Sequence, residues 1–142
     1  GFPGESENEF QDTLDLCAGI GFADIHVFPY SVRPGTSAAY FPELLDSSTK
    51  SERIQRLLAL AKTQQVLFQQ NQVGTTHRIL WEKCRLNNNL PIWSGLTENY
   101  LRVSCVSREP LAGKITTATL DLYHDGRLWT IATEGTVGKL TV

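Results

Sequence analysis

The chain has 142 residues, of which 41% are hydrophobic and 20% are charged, and its formal net charge is −2. These values are typical of a globular protein and exclude an intrinsically disordered chain. No segment is apolar over enough residues to cross a membrane, and the start lacks a signal-peptide pattern, so we expect a cytoplasmic protein without a membrane partner. Three widely spaced cysteines argue against a disulfide framework, which agrees with a reducing compartment.

The charge is distributed unevenly along the chain. Residues 1–72 contain five Lys/Arg against nine Asp/Glu, a net charge of −4, whereas residues 73–142 contain eight against six, a net charge of +2. Because contact with RNA phosphates is largely electrostatic, the C-terminal half is the better candidate for binding RNA.

The first predicted elements are a short helix and a buried strand. Ser6 and Glu9 have the spacing of a capping box, and the apolar residues that follow recur at helical spacing until Gly21. The next apolar run, His26–Tyr30, is short and rich in β-branched and aromatic residues, which predicts a buried strand of a parallel sheet. A loop with prolines follows over residues 31–48.

A long amphipathic helix is predicted from Thr49, which has the capping-box spacing with Glu52, to about Gln72. Its predicted apolar stripe consists of Ile54, Leu57, Leu58, Ala61, Leu67 and Phe68. The side chains predicted to face solvent or a partner are Arg53, Arg56, Lys62 and Gln69.

Beyond Gly74 the hydrophobic pattern changes to the alternation of β-strands. Strands are predicted over residues 76–82, 100–106, 115–123 and 128–133, with loops at 87–97 and 107–114 and a further short strand expected near Ile92 and Trp93. Asp125-Gly126 predicts a tight hairpin between the last two strands. Four or five short strands favour a small barrel, which closes its own edges.

Three segments carry a resemblance to a known family: Gly1–Ser6, His26–Thr36 and Gly95–Val103. In this order they resemble the methylthiotransferase family of radical S-adenosylmethionine (SAM) enzymes. The first resembles the turn after the fifth barrel strand, the second resembles the sixth strand and the loop that leaves it, and the third resembles the signature of the TRAM domain, a small RNA-binding barrel. The nearest subgroup thiomethylates threonylcarbamoyladenosine beside the tRNA anticodon.

The resemblance implies an α+β fold in two parts. Residues 1–72 would be the last helix–strand–helix segment of a partial TIM barrel, and residues 73–142 a five-stranded antiparallel TRAM β-barrel. The family holds an iron–sulfur cluster with a Cys-x3-Cys-x2-Cys motif, and Cys17, Cys84 and Cys105 are too far apart to form it. We therefore expect the C-terminal part of a longer enzyme, inactive by itself, whose parent uses SAM and two 4Fe-4S clusters.

The resemblance also implies which residues form the site. Those expected at the SAM pocket are Phe2, Pro3, Phe28, Pro29 and Tyr30. Those expected to contact the tRNA substrate, at the anticodon stem-loop, are Ser31, Arg33, Arg78, Lys83 and Arg102. Arg33 stands out because a guanidinium on a rim loop suits the carboxylate of the threonylcarbamoyl group or a phosphate. No catalytic residue and no metal ligand is assigned to this chain.

Several of the residues that support RNA binding could instead have a structural role. The basic residues that support it are Arg78, Lys83, Arg85, Arg102, Arg108, Lys114 and Arg127. The aromatic residues that could stack on bases are Trp81, Trp93, Tyr100 and Trp129, although a barrel this small also needs tryptophans in its core. Arg102 could instead form an internal ion pair, since Glu98 lies close to it in the sequence.

Two other functions agree with the same sequence: a stand-alone RNA-binding module without catalysis, and the family branch that modifies an aspartate of a ribosomal protein.

A lone strand at His26–Tyr30 would leave both of its edges unpaired. The sequence therefore predicts self-association of the chain through this strand.

Overall fold

A computed structural model describes residues 1–131. These residues form two compact units, of which the first is Gly1–Phe68 and the second begins at Gln69. Helix and sheet lie in different parts of the chain, so the predicted α+β class is confirmed. None of the described helices combines the length and the apolar character that a membrane span requires.

Helix α1 (Glu7–Ile20) begins and ends with the predicted caps. Ser6 Oγ accepts a hydrogen bond from the Glu9 N–H (3.2 Å), and the Glu9 carboxylate accepts one from the Ser6 N–H (2.8 Å). At the other end, Gly21 has a φ of 70° and its N–H donates to the Cys17 carbonyl (3.2 Å). The predicted capping box is confirmed, and both caps satisfy backbone groups that a helix end leaves unpaired.

Helix α2 (Ser47–Asn71) begins before the predicted position. Its first turn is capped by Asp46, whose carboxylate accepts hydrogen bonds from the Thr49 N–H (2.9 Å), the Thr49 hydroxyl (2.7 Å) and the Ser48 hydroxyl. The predicted capping box of Thr49 and Glu52 is wrong, because Asp46 already supplies the acceptor. The bonds from Ser48 and Thr49 hold the pKa of Asp46 well below its usual range.

Two buried polar residues of α2, Arg53 and Gln64, hold the two ends of α1. Arg53 is 5% exposed, and its guanidinium donates to the Glu5 carbonyl (3.0 Å) and carboxylate (2.7 Å) just before α1. The Gln64 amide donates to the Cys17 carbonyl (2.6 Å) in the last turn. Arg53 therefore does not face solvent, because the backbone and carboxylate at the start of α1 need its donors. The predicted apolar stripe is wrong at Leu58 and Leu67, which are 44% and 54% exposed.

The strand predicted at His26–Tyr30 is not formed. No described residue pairs with this segment, which lacks regular secondary structure, and Phe28 is 82% exposed. A strand requires a neighbour for its backbone N–H and C=O groups, and every described strand belongs to the second unit. Ile25 and Val27 are half-buried, whereas His26 and Phe28 are exposed. The side chains thus alternate in burial as in a strand, although the backbone has no strand partner. Self-association of the chain through this segment stays a prediction.

A 3-10 turn, Ser37–Tyr40, interrupts the long loop of the first unit. In the second unit the described strands are β1 (Thr76–Asn87), β2 (Leu90–Thr97), β3 (Arg102–Val106), β4 (Ile115–Thr119), β5 (Leu122–His124) and β6 (Arg127–Trp129). They form one sheet in the order β4-β1-β2-β3-β6-β5, antiparallel except where β3 pairs with β6. Within residues 1–131 the sheet is thus mixed, six-stranded and open at β4 and β5, unlike the predicted five antiparallel strands of a barrel.

Two local features account for the difference in strands. Residues 90–97 were predicted mainly as a loop, yet they pair with β1 on one side and β3 on the other. The predicted strand 115–123 divides at Leu120, whose N–H donates to the Thr75 carbonyl (2.9 Å), while the Asp121 N–H donates to the Trp129 carbonyl (2.8 Å). The backbone therefore changes its partner at this point.

The hairpin predicted at Asp125-Gly126 is confirmed, since β5 and β6 pair directly across it. Asp125 has a φ of 50° and Gly126 a φ of 72°. Positive φ at both central residues is the requirement of a type I′ turn, whose twist matches that of the flanking strands.

One face of the sheet is the core of the second unit. Its buried side chains include Ile79, Trp81, Val103 and Leu128, each with 0% exposure. Gly95 pairs with Trp81, and a Cβ at Gly95 would lie 2.7 Å from Ile79 Cγ2 and 2.9 Å from Trp81 Cε3. The packing of Trp81 therefore requires a glycine at this position.

Candidate nucleic-acid interface

The Gly1–Glu5 segment is a tight turn. The Glu5 N–H donates to the Phe2 carbonyl (3.1 Å), Pro3 is buried, and Gly4 has a φ of 79°. Pro3 and Gly4 suit the central positions of a type II turn, because proline restricts φ to negative values and glycine tolerates positive ones. The Gly4 N–H also donates to the Glu43 carbonyl (2.8 Å), which ties the turn to the loop before α2.

This turn brings Phe2 to an aromatic cluster. The ring centroids of Phe2 and Tyr30 are 5.4 Å apart, those of Phe2 and Phe41 are 5.9 Å apart, and Lys50 Nζ lies 5.9 Å from the Tyr30 ring. The Tyr30 hydroxyl is buried and accepts or donates no hydrogen bond within the described chain. Such a cluster fits an aromatic ligand, which can pack against the ring edges.

The other residues predicted at the SAM pocket and the substrate loop lie in two places. Phe28 is 82% exposed and makes no ring contact with a described residue. Pro29, Ser31 and Arg33 line an open depression of about 350 Å³. Within residues 1–131 the exposed Arg33 guanidinium has no partner, while the Arg33 carbonyl accepts the Thr36 hydroxyl (2.8 Å). The depression therefore offers one uncompensated cation to an anionic ligand.

In the second unit, paired residues build a face opposite the core. Ile115 of β4 pairs with Leu80 of β1, Leu80 pairs with Leu96 of β2, and Leu96 pairs with Arg102 of β3. Residues that pair directly across antiparallel strands project to the same side of a sheet. We call the surface formed by these four residues and their neighbours the outer face.

A β-bulge in β1 changes which residues reach the outer face. The pairing register shifts between Trp81 and Lys83, so Glu82 is an additional residue at this point. Trp81 is buried in the core, whereas Lys83 pairs with Ser94 and is exposed on the outer face with Arg85. Regular alternation would have directed Lys83 and Arg85 to the side of Trp81, so the bulge gives the outer face two cations.

An open groove of about 490 Å³ on the outer face collects four cations. Its lining includes Lys83, Arg85, Arg102 and Arg127. Arg102 forms an ion pair with Glu82, at 2.8 Å between Nη1 and the carboxylate. Within the described chain the other three cations have no ion-pair partner. The groove, which we call the basic groove, therefore fits a polyanion such as a phosphate backbone.

The predicted tRNA-contacting residues of the second unit divide between two positions. Lys83 and Arg102 line the basic groove, and Arg78 lies on a neighbouring part of the outer face. Glu98 does not pair with Arg102: its carboxylate lies 3.2 Å from His77 Nδ1 and accepts the Arg78 N–H (3.0 Å). Hydrogen bonds from its own backbone, from His77 and from Arg78 lower the pKa of Glu98, which is ionised at neutral pH.

The aromatic candidates for base stacking differ in exposure. Trp81 and Trp93 are 0% and 8% exposed, and the Trp93 indole N–H donates to the Ser107 carbonyl (3.1 Å). Trp129 is half-buried. Tyr100, in contrast, is 86% exposed and has a φ of 64°, a conformation that costs a residue with a Cβ on the order of 1 kcal/mol. Of the four, Tyr100 is the aromatic ring that a ligand can reach fully.

The cysteines do not form a metal site in the described chain. Cys17, Cys84 and Cys105 are all unpaired, and residues 1–131 contain no group of His, Cys, Asp or Glu side chains that could hold a metal ion. Burial, with a smaller contribution from Cys84, raises the pKa of the Cys105 thiol to about 12. Because metal ligation and nucleophilic attack require a thiolate, the described residues do not fit a 4Fe-4S cluster.

Two curated proteins are similar to this chain in sequence. The threonylcarbamoyladenosine tRNA methylthiotransferase MtaB of Bacillus subtilis is 34% identical over 116 residues, which are 81% of this chain and 26% of that protein. The tRNA-2-methylthio-N(6)-dimethylallyladenosine synthase of Magnetococcus marinus is 48% identical over 82 residues, 58% of this chain and 19% of that protein. The chain is a homologue of the tRNA methylthiotransferases. No protein-family model matches it.

The chain thus spans about a quarter or less of the length of these methylthiotransferases. The two relatives differ in the modified adenosine that their names specify, one carrying a threonylcarbamoyl group and the other a dimethylallyl group. One of these groups bears a carboxylate and the other is a hydrocarbon. The two groups therefore differ in whether they carry a negative charge that a cation can bind.

Proposed function

We propose that this chain is the C-terminal, tRNA-docking part of a methylthiotransferase and that its second unit is a TRAM domain. The observation that supports docking most directly is the basic groove, where Lys83, Arg85 and Arg127 lack ion-pair partners in the described chain although the net charge of the protein is −2. The parent enzyme uses SAM and two 4Fe-4S clusters bound by other segments. We propose the cytoplasm as its location, since unpaired cysteines suit a reducing compartment.

In this proposal the first unit forms one wall of the SAM pocket. Phe2 and Tyr30 present aromatic edges to the adenine, with Pro3 fixing the turn that carries Phe2. Bound SAM supplies the radical and the methyl group. Residues of this chain bind and orient it, and Ser31 and Arg33 line the adjoining depression where the modified adenosine binds.

We propose N6-threonylcarbamoyladenosine, next to the anticodon, as the substrate. The support is Arg33, an exposed guanidinium that no described residue neutralises and that suits the threonine carboxylate. A dimethylallyl group would leave this cation without a partner.

Replacing Arg33 by glutamine should remove the preference for the carboxylated nucleoside. The wild-type chain should bind N6-threonylcarbamoyladenosine about tenfold more tightly than N6-dimethylallyladenosine, the effect of one charge-assisted hydrogen bond. The Arg33→Gln chain should bind both equally, and Arg33→Lys should retain part of the difference. Titration calorimetry measures the affinities, and an unchanged preference in Arg33→Gln would contradict the assignment of this substrate.

Removing the cations of the basic groove should weaken binding to a tRNA anticodon stem-loop and reduce its salt dependence. The triple variant Lys83→Gln, Arg85→Gln, Arg127→Gln should reduce the magnitude of the slope of log affinity against log salt by about 2–3, because each lost phosphate contact removes about 0.7–0.9. Arg102→Gln should lower it less, since Arg102 is already neutralised by Glu82. Fluorescence anisotropy at several salt concentrations gives the slopes.

Two controls test whether the location of the charge matters. Lys62→Gln removes an exposed charge from α2, and Arg108→Gln removes one from the loop after β3, outside the groove lining. Both should bind like the wild type. If they lower the slope as much per charge as the triple variant does, binding is a property of net charge and the groove is not the docking site.

A further inference from the structure

We propose that Tyr100 is a stacking platform for an unpaired base of the RNA strand whose phosphates occupy the basic groove. The inference rests on the proposed RNA docking and adds a contact to the base. Tyr100 is 86% exposed, whereas Trp81 and Trp93 are buried in the core. Base stacking on an aromatic ring tolerates any sequence, so this site would hold a strand without selecting its bases.

The backbone at Tyr100 indicates that the ring does not serve the fold. Its φ of 64° is the left-handed conformation, in which a Cβ approaches the following carbonyl oxygen. The other non-glycine residues with positive φ in the described chain are Asn88, Asn89 and Asp125, types that tolerate it. A glycine would relax the backbone at position 100, and an exposed ring adds little packing. Its place on the surface is explained by a ligand.

The turn that presents the ring is held by hydrogen bonds at the end of β2. The Tyr100 N–H donates to the Thr97 carbonyl (3.1 Å), and the Thr97 N–H donates to the Leu101 carbonyl (3.0 Å). The Thr97 hydroxyl accepts the Leu101 N–H (2.8 Å) and donates to Asn99 Oδ1 (2.6 Å). The backbone position of Tyr100 is therefore set before a ligand binds, which reduces the ordering cost of stacking.

The surface beside the ring matches a nucleotide. An open depression of about 370 Å³ is lined by Tyr100, Arg78, Leu80, Leu96 and Ile115. Leu80 and Ile115 are 42% and 56% exposed, so the depression is largely apolar. The Arg78 guanidinium on its rim has no partner within residues 1–131. An apolar surface with an aromatic ring suits a base, and an adjacent guanidinium suits its phosphate.

The depression adjoins the basic groove on the outer face. Leu96 lines the depression, and its register partner Arg102 lines the groove. Glu98 also lines the depression. Its carboxylate accepts a hydrogen bond from the Arg78 N–H (3.0 Å) and lies 3.2 Å from His77 Nδ1. A single RNA strand can therefore place a base on Tyr100 while its neighbouring phosphates reach the groove.

Two single-stranded probes of about ten nucleotides separate stacking from charge. One is oligoadenylate, and the other is an abasic ribose-phosphate strand of equal length. The wild-type chain should prefer oligoadenylate, and Tyr100→Gly should weaken its binding about fivefold to a hundredfold while leaving the abasic affinity unchanged. Tyr100→Phe should retain the preference, because it keeps the ring. Tyr40→Gly, which removes an 81% exposed tyrosine of the first unit, should bind like the wild type.

The outcomes distinguish this inference from the proposed docking. If the groove variants weaken binding but Tyr100→Gly binds oligoadenylate like the wild type, the stacking platform is refuted and the docking stands. If the wild type binds neither probe and no stem-loop, the docking proposal fails as well. Thermal unfolding provides the folding check: Tyr100→Gly should unfold at the wild-type temperature or above. A lower temperature with equal loss of both probes would show a structural role and overturn the inference.

Discussion

Replacing Arg53 by alanine should destabilise the first unit by about 3–5 kcal/mol, the range for removing one partner of a buried ion pair. Arg53 is 5% exposed and bonds the Glu5 carbonyl and carboxylate, and its guanidinium stacks 5.0 Å from the Phe10 ring. Without it, partly buried acceptors at the start of α1 lose their donors. Far-UV circular dichroism during urea unfolding measures the loss, because α1 and much of α2 belong to this unit.

Arg56 is the matched control on the same helix. Its guanidinium lies 4.8 Å from the same Phe10 ring, but its side chain is 33% exposed and pairs with Glu7, which is 58% exposed. Exposed ion pairs contribute less than about 1 kcal/mol, so Arg56→Ala should shift the transition far less. Equal shifts in Arg53→Ala and Arg56→Ala would show that burial of the Arg53 charge does not anchor α1.

The same change has a predicted effect on the candidate SAM wall. Arg53 fixes the turn that carries Phe2 through its bonds to Glu5. When these bonds are lost, Phe2 should no longer remain 5.4 Å from Tyr30. Loss of the folded turn would thus reduce ligand binding at the cluster even under conditions where α2 remains helical.

Replacing Gly95 by alanine should destabilise the second unit by about 1–3 kcal/mol, at the upper end of that range. The added Cβ would lie 2.6 Å from the Leu80 carbonyl oxygen and 2.7 Å from Ile79 Cγ2. A carbonyl held in a strand pair cannot rotate away, so β1 and β2 must separate. All three tryptophans lie in this unit, and their fluorescence reports its unfolding separately from the helices.

Gly19→Ala is the control for the same chemical change. Gly19 lies in α1, and no atom comes within 4 Å of a Cβ added there. Alanine favours a helix over glycine by up to about 1 kcal/mol, so this variant should be as stable as the wild type or more stable. A tryptophan transition of Gly95→Ala that coincides with that of Gly19→Ala would refute the steric role of Gly95.

Most predictions from local signals were correct, whereas the strand that needed a distant partner was not. The capping box of Thr49 and Glu52 is the local exception, because Asp46 supplies the acceptor one turn earlier. The capping box of Ser6 and Glu9 and the Asp125-Gly126 hairpin depend on residues a few positions apart, and both are confirmed. The strand at His26–Tyr30 depends on a distant partner and is not formed in the described chain. The terminal residues 132–142, which include part of the predicted strand 128–133, lie outside the described residues.

The candidate site residues could likewise be predicted by type from the sequence, but not by their position in the fold. The sequence supplied every basic residue of the groove as a candidate, but it did not separate Arg85 and Arg127 from Arg108 and Lys114. For Arg85 the separating feature is the β-bulge at Glu82, which depends on the pairing of β1 with β2. For Arg127 it is the pairing of β6 with β3, the strand that carries Arg102. Arg53 was missed as a buried anchor because a charged residue in an amphipathic helix ordinarily faces solvent. Its helical spacing from the buried Ala61 was the signal that could have indicated its burial.

By itself the sequence determined the family, the α+β class and the local turns, because these depend on residue type and short spacing. Tertiary structure alone decided that Arg53 is buried, that Trp81 requires Gly95, that Arg102 pairs with Glu82, and that Tyr100 is the accessible aromatic ring. Each of these depends on contacts between residues far apart in the chain. Burial, register and charge pairing are properties of such contacts, and hydrophobic periodicity does not specify which residues make them.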